Sequence, residues 1–323
     1  MLIRLIIISL ALVTQISWAA DTPQQWLDRM SDATRNMNYI GEFIYHGDGA
    51  IQAMRIIHQA NEKGEKERLI SLTGEAREVI RRNHSVICVL PKEKSVMIDE
   101  SQPRSPLPTV FGRQLDDLKP YYRLQILADN RMAGQMSTVL SIQSKDDYRY
   151  GYKLWLDKDT GLLLRSDILD VGGNILEQIM FTRIEVLDHI DDSYFEVNED
   201  QNTFALHDVK HQPKFSELMP DSVWHSVNLP AGFIKTHHYR HVMPMRKDWV
   251  EHLVFSDGLA SVSVYIDHPQ EGQDEDEVFT GGMSMGVVNI YALLISGYPV
   301  TAVGEVPLRT VEEIVRSLVR KGD

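Results

Sequence analysis

The sequence predicts an α+β protein of two domains, a helix against a large antiparallel sheet followed by a smaller second domain. Three observations predict it. Strand-like runs follow one another from Tyr39 to Leu187 with only turn signals between them, and no helical pattern is long enough for a crossover, so neighbouring strands pair antiparallel. One amphipathic helix precedes them. A polar segment, 202–221, then separates these strands from a second set and reads as an interdomain linker.

The helix begins after Thr22, which can cap it, with Pro23 at the first helical position and Gln25 where a capping box needs it. Trp26, Met30, Ala33 and Met37 then share one face. The strands of the first set run through Tyr39–Tyr45, Ile51–His58, Arg68–Leu72, Arg77–Arg82, Ser85–Leu90 and Lys94–Ile98. After a break at Pro103, Pro106 and Pro108 and a short helix around Arg113–Leu118, they resume at Tyr122–Leu127, Ser137–Gln143, Tyr150–Leu156, Leu162–Leu169 and Leu176–Leu187. Asp157–Gly161 and Gly172–Asn174 supply hairpin turns. A large twisted sheet with one helix leaves a concave apolar side, and such mouths hold ligands.

The second set comprises Ile234–Arg240, Trp249–Phe255, Ala260–Ile266, Val287–Ile295 and Tyr298–Val303, with Asp257-Gly258 as a turn. Glu271–Glu277 is an acidic loop. A helix over Thr310–Leu318 closes the chain, with Thr310 as its cap and Glu312 and Glu313 in its first turn, where the helix dipole favours acids. The expected divisions are a signal peptide over 1–19, a sheet domain over 20–201, the linker over 202–221 and a C-terminal domain over 222–323.

Arg4, the apolar run Leu5–Val13 and the small residues of Ser17-Trp18-Ala19 form the three parts of a secretory signal peptide, with cleavage expected after Ala19. The apolar run is shorter than the ~20 residues a spanning helix needs. Cys88 is the sole cysteine, so no internal disulfide forms, and its apolar neighbours make it a small buried residue of a strand. The net charge of −13 leaves no basic stripe for nucleic acid. Arg77, Arg81, Arg82, Lys92 and Lys94 make the densest basic stretch, read as a solvated strand face.

Chemistry-bearing motifs are few. Gly282-Met283-Ser284-Met285-Gly286 spells the nucleophile-elbow pattern, but that motif needs a strand before the serine and a helix after it. Here a β-rich run follows, so a hydrolase using Ser284 is a minor alternative. His237, His238 and His241 have no acidic or cysteine neighbour in their segment, and a polar strand face accounts for them without a metal. Asp116-Asp117, Asp146-Asp147 and Asp191-Asp192 fall at turns. The sequence therefore points to no cofactor and no enzyme activity.

Four segments carry a family resemblance. Arg68–Arg81, then Tyr152–Asp157 running into Thr160–Ser166, then Val254–Val264, and last Val303–Pro307 followed by Thr310-Val311, resemble the RseB/MucB family of sigma-E regulatory proteins. Together they span both expected domains. The resemblance implies a lipoprotein-carrier-like first domain, a curved antiparallel half-barrel with helices in its mouth, followed by a smaller α/β domain. It also implies a periplasmic protein that binds the periplasmic part of a membrane-anchored anti-sigma factor of the RseA/MucA type and shields it from its first proteolytic cut. Lipid or lipopolysaccharide would release that partner, and copies of the chain would form homo-oligomers. A periplasmic lipid or lipoprotein carrier is the alternative.

An acyl chain would lie between sheet and helix, so Trp26, Met30, Tyr152, Leu154 and Trp155 are candidate pocket residues. Ordinary core packing accounts for the same residues, and the sequence leaves open which strand face looks inward. The partner surface is expected around Phe255, Ser256, Asp257 and Gly258, with His252 nearby, because an exposed hairpin edge accepts a peptide strand. A plain tight turn is the other reading.

Overall fold

The computed structural model describes residues 21–82, 85–99, 115–197, 205–209, 222–242, 249–268 and 279–322. The expected signal peptide, the proline-rich break, the acidic loop and all of the expected linker but 205–209 lie outside these residues. Among the described residues no helix is long and apolar enough to cross a membrane.

Helix α1 (Pro23–Asn36) closes the expected capping box: the Thr22 side chain accepts from the Gln25 N–H, and the Gln25 side chain accepts from the Thr22 N–H at 2.7 Å. Its buried stripe is Trp26, Leu27, Met30 and Ala33. The strands β1 (Asn38–Gly47), β2 (Ala50–Asn61), β3 (Gly64–Ser71), β4 (Glu78–Arg82), β5 (Ser85–Leu90) and β6 (Ser95–Asp99) follow as successive hairpins. After the short α2 (Leu115–Leu118) come β7 (Tyr122–Met132), β8 (Gln135–Ser144), β9 (Gly151–Asp157), β10 (Leu163–Leu169) and β11 (Ile175–Leu187). The two hairpin series join where β1 pairs with β11, Phe43 opposite Phe181.

One further strand, β12 (Ala205–Val209), lies in the stretch expected to be linker. It pairs parallel with β6, Ala205 opposite Ser95, so the twelve-stranded curved sheet is antiparallel save for this edge. Alternation along the strands gives the sheet two apolar faces. On the inner one, Phe43, Met54, Ile56, Leu69 and Phe181 form one cluster, and α1 packs on another built from β8 and β9. The outer face over β1–β5 is covered by Ile190 and Phe195 against Ile57 and Ile80. That cover is tied down by Gln59 donating to Ile190 O at 2.6 Å, Arg68 to Tyr194 O at 2.8 Å, and Arg82 to Phe195 O. Cys88 on β5 is half-buried, and burial pushes its thiol up.

The second sheet contains β14 (Ile234–Val242), β15 (Trp249–Ser256), β16 (Ser261–Ile266), β17 (Gly281–Met285), β18 (Val288–Ile295) and β19 (Tyr298–Gly304), in the order β14-β15-β16-β19-β18-β17. Helix α3 (Leu308–Arg316) places Val311, Ile314 and Val315 on its inner face, against Leu253, Val262, Val264 and Val300. The short β13 (Trp224–Ser226) and β20 (Leu318–Arg320) pair with each other.

Three expectations are corrected. The protein is mostly β rather than α+β. Its second domain is not α/β either, because the described strand pairs of its sheet are antiparallel, as in the hairpin at the Asp257-Gly258 turn. Thr310 does not cap α3: the helix starts after Pro307, and Thr310 sits inside it, buried, with its hydroxyl donating to Tyr148 O at 2.7 Å.

Close packing of the inner face makes one residue sensitive. A Cβ at Gly41 would lie 2.5 Å from the Phe181 ring. Gly41→Ala is expected to lower stability by about 1–3 kcal/mol in urea unfolding, and an unchanged midpoint would show that the ring has room to move.

Candidate functional site at the domain joint

Four of the five candidate pocket residues come together. Trp26 and Met30 of α1 meet Tyr152 and Leu154 of β9 in one buried cluster with Leu140 and Leu156. Trp155 lies on the opposite face of β9, as alternation requires. There its ring is held between the Lys153 ammonium at 5.0 Å and the Arg165 guanidinium at 4.3 Å, with Arg165 paired to Asp167 at 2.7 Å. Trp26, Met30 and Leu154 are buried, so α1 itself occupies the inner face they line. Surface cavities of about 530 Å³ beside Ile51, Thr73 and Arg77, and of about 310 Å³ beside Ser263, Tyr265 and Glu305, share no lining residue with this cluster.

The residues expected to meet a partner are placed differently from an exposed edge. β15 is internal, with β14 and β16 on its two sides, so its backbone is already paired. Phe255 is in the core of the second domain. Ser256 and Gly258 build the turn: the Ser256 hydroxyl donates to Ala260 O at 2.7 Å and accepts from Gly258 N at 3.0 Å. Gly258 has φ +105, a left-handed conformation that favours glycine. His252 is half-buried on the outer face of the second sheet, stacked on Tyr265 at 4.4 Å.

Asp257 turns toward the first domain and is buried. One oxygen accepts from Leu259 N at 2.9 Å and Ala260 N at 2.8 Å, which fixes the turn. The other accepts from the Tyr122 hydroxyl at 3.0 Å and faces Arg149 Nη1 at 3.0 Å. Arg149 is 0% exposed. Its remaining nitrogens reach Asp146 at 3.1 Å and donate to Ala231 O at 2.6 Å, and its plane is surrounded by the rings of Tyr121, Tyr122 and Phe233 at 4.8, 5.5 and 5.2 Å. Burial, then the charge of Asp257, pushes the Tyr122 phenol well above its ordinary value, so it stays a neutral donor.

Further contacts widen the joint. Asn289 donates to the Tyr150 hydroxyl at 3.0 Å and to Val306 O at 2.7 Å. Ser284 on β17 donates to Asn289, and β18 rather than a helix follows it, so the nucleophile-elbow geometry is missing. Gly232, at φ +87, lies so close to Tyr121 that a Cβ there would be 2.6 Å from its ring. Leu259, two residues past Asp257, packs against the Trp26 cluster. Sequence reasoning missed Arg149, whose one local signal is a cation placed between Tyr148 and Tyr150.

An acidic pair lies beside this joint. The Tyr45 hydroxyl donates to Glu177 at 3.1 Å. Burial, opposed by that bond and reinforced by Glu305 of the second domain, pushes the Glu177 carboxyl up. Burial and Glu177 push the Tyr45 phenol up to about 12.

Two outcomes follow from this geometry. Removing one member of a buried ion pair leaves the other uncompensated. Arg149→Met is expected to cost about 3–5 kcal/mol and to split urea unfolding, followed by tryptophan fluorescence, into separate transitions. For Glu177 the ionised form is disfavoured in the fold, so stability is gained as pH falls through its raised titration toward the ordinary carboxylate range. Glu177→Gln should be more stable than wild type at neutral pH and should lack that gain; equal stability at both pH values would contradict the assignment.

Comparison with known proteins places the chain. The family model described as the MucB/RseB N-terminal domain matches residues 22–199, and that described as the MucB/RseB C-terminal domain matches 219–319. The chain is 30% identical over 306 residues to the sigma factor AlgU regulatory protein MucB of Pseudomonas aeruginosa, covering 94% of this chain and 92% of that protein. It is 26% identical over 295 residues to the sigma-E factor regulatory protein RseB of Haemophilus influenzae, covering 91% and 90%. It superposes on a chain of the complex structure of Pseudomonas aeruginosa MucA/MucB with a TM-score of 0.69 at 26% identity, over 93% of this chain and 99% of that one. With both of its sheets matched, this chain belongs to the MucB/RseB family of sigma factor regulatory proteins.

Proposed function

We propose that the chain acts in the periplasm as a negative regulator of the sigma-E envelope stress response. It binds the periplasmic part of a membrane-anchored anti-sigma factor, shields it from proteolysis and releases it on sensing lipid or lipopolysaccharide. The observation that carries this reading is the family match over both domains, together with the likeness to a structure solved as a MucA/MucB complex. The action needs no bond-making chemistry, in keeping with relatives that are named as regulatory proteins.

The geometry supports a route between ligand and partner. An acyl chain gains roughly 0.8 kcal/mol per buried CH₂, and on the inner face it would compete with α1 for Tyr152 and Leu154. Leu259 packs on that same cluster and belongs to the turn that Asp257 fixes. Displacing α1 therefore disturbs the domain joint. Such coupling is reciprocal, so a partner favouring the intact joint opposes lipid entry as strongly as lipid opposes the partner. Self-association of copies belongs to the same reading.

Purified chain should slow cleavage of the periplasmic segment of its cognate anti-sigma factor by the initiating protease, and added lipopolysaccharide should restore cleavage. Unchanged cleavage kinetics at saturating protein would overturn the assignment; protection that lipopolysaccharide leaves intact would remove the lipid arm alone.

A further inference from the structure

Helix α1 covers only part of the inner face. Over β3 to β6 that face carries a row of side chains opposite one another in register: Leu69 with Val79, Val79 with Cys88, and Cys88 with Met97. Cross-strand partners share a face, and Leu69 and Val79 belong to the inner cluster of Phe43 and Phe181. The row is therefore apolar along its length. Its cover thins from Leu69 at 8% exposed, through half-buried Val79 and Cys88, to Met97 at 40% exposed. Three strand spacings of about 4.8 Å give it a length of roughly 14 Å.

The cavity of about 530 Å³ opens at the turn end of these strands. Arg77 and Leu90, two residues from Val79 and Cys88 respectively, both line it. The β3–β4 loop that bounds it is preformed: Leu72 N donates to Ala53 O at 2.8 Å, and Ala53 N donates to the Thr73 hydroxyl at 2.9 Å. Four charged side chains line the cavity. Glu75 and Lys92 pair with each other. Arg77 and Glu93 meet no ionic partner among the described residues, and they do not pair with each other. An apolar row leading from a cavity with one unanswered guanidinium and one unanswered carboxylate is complementary to a head group that carries both charges on an acyl tail. A purely anionic head would oppose Glu93, and a neutral head would leave both charges to solvent.

We infer that this open part of the inner face binds a zwitterionic phospholipid, with the phosphate at Arg77, the ammonium at Glu93 and the acyl chain along Val79, Cys88 and Met97. Binding there leaves α1 in place. The role of the site rests on the lipid arm of the proposed function, whereas the binding itself needs no partner protein.

Cys88 is the sole cysteine, so its alkylation reports on the row directly. Iodoacetamide modification of the purified chain at about pH 8.5 is followed with lysophosphatidylethanolamine, lysophosphatidylglycerol and a neutral maltoside of equal chain length, each below its micelle-forming concentration. Lysophosphatidylethanolamine should slow the reaction severalfold, and at lower concentration than the other two. Arg77 and Glu93 are exposed, so their substitution keeps the fold. Arg77→Gln should weaken the protection roughly tenfold, and Glu93→Gln should abolish the preference for lysophosphatidylethanolamine over lysophosphatidylglycerol. No protection, equal protection by all three amphiphiles, or protection unchanged in Arg77→Gln overturns the site. If it is overturned while lipopolysaccharide still restores cleavage of the anti-sigma segment, the proposed function stands without it.

Discussion

A guanidinium with no exposed surface is stable only where its charge and its hydrogens are answered together. Arg149 has its charge answered from both domains, by Asp146 beside it in the first and by Asp257 in the second, and Nη2 donates to the Ala231 carbonyl, while Nη1 faces Asp257 at 3.0 Å without a hydrogen bond. Three aromatic rings exclude water and leave the charge nowhere else to go. Separating the domains would break the Arg149–Asp257 pair and the bond to Ala231 O, so this cation is one of the groups that hold the two sheets in their relative position. The turn at Asp257, the close approach of Gly232 to Tyr121 and the Asn289–Tyr150 bond are all consistent with that placement.

Helix α1 gives the inner face its second role. The stripe of Trp26, Leu27 and Met30 covers residues that would otherwise form an open apolar surface. Under the proposed function, an amphiphile would take the place of the helix on that surface. Polar contacts also hold α1, Arg29 near its middle to Lys158 O and His58 to Met37 O at its C-terminal end. These are weaker and more solvent-dependent than apolar packing, so conditions can alter them without unfolding the sheet.

Much of this fold was legible in the chain. The capping box at Thr22, the two-residue alternation of β1 to β11 and the Asp257-Gly258 hairpin are local signals, and the structure follows them. The parallel strand β12 was not legible, since Ala205–Val209 lies in a polar stretch and acquires its partner β6 from far away in sequence. Trp26 and Met30 could be grouped from helical spacing, whereas Tyr152, Leu154 and Trp155 were candidates from one segment, and the side on which each falls depends on which strand face meets α1. The joint was opaque for a related reason. Asp257 looks like an exposed turn residue until Arg149 is brought beside it, and no pattern within either segment announces the other.

The account rests on direct energetic coupling between the two domains at Arg149, and a double-mutant cycle measures that coupling alone. With Arg149→Met, Asp257→Asn and the pair combined, the account predicts an interaction energy of about 1.5–3 kcal/mol in equilibrium unfolding. Effects that add within about 0.5 kcal/mol would show that the two side chains are neighbours without being partners, and the joint would have to be sought elsewhere.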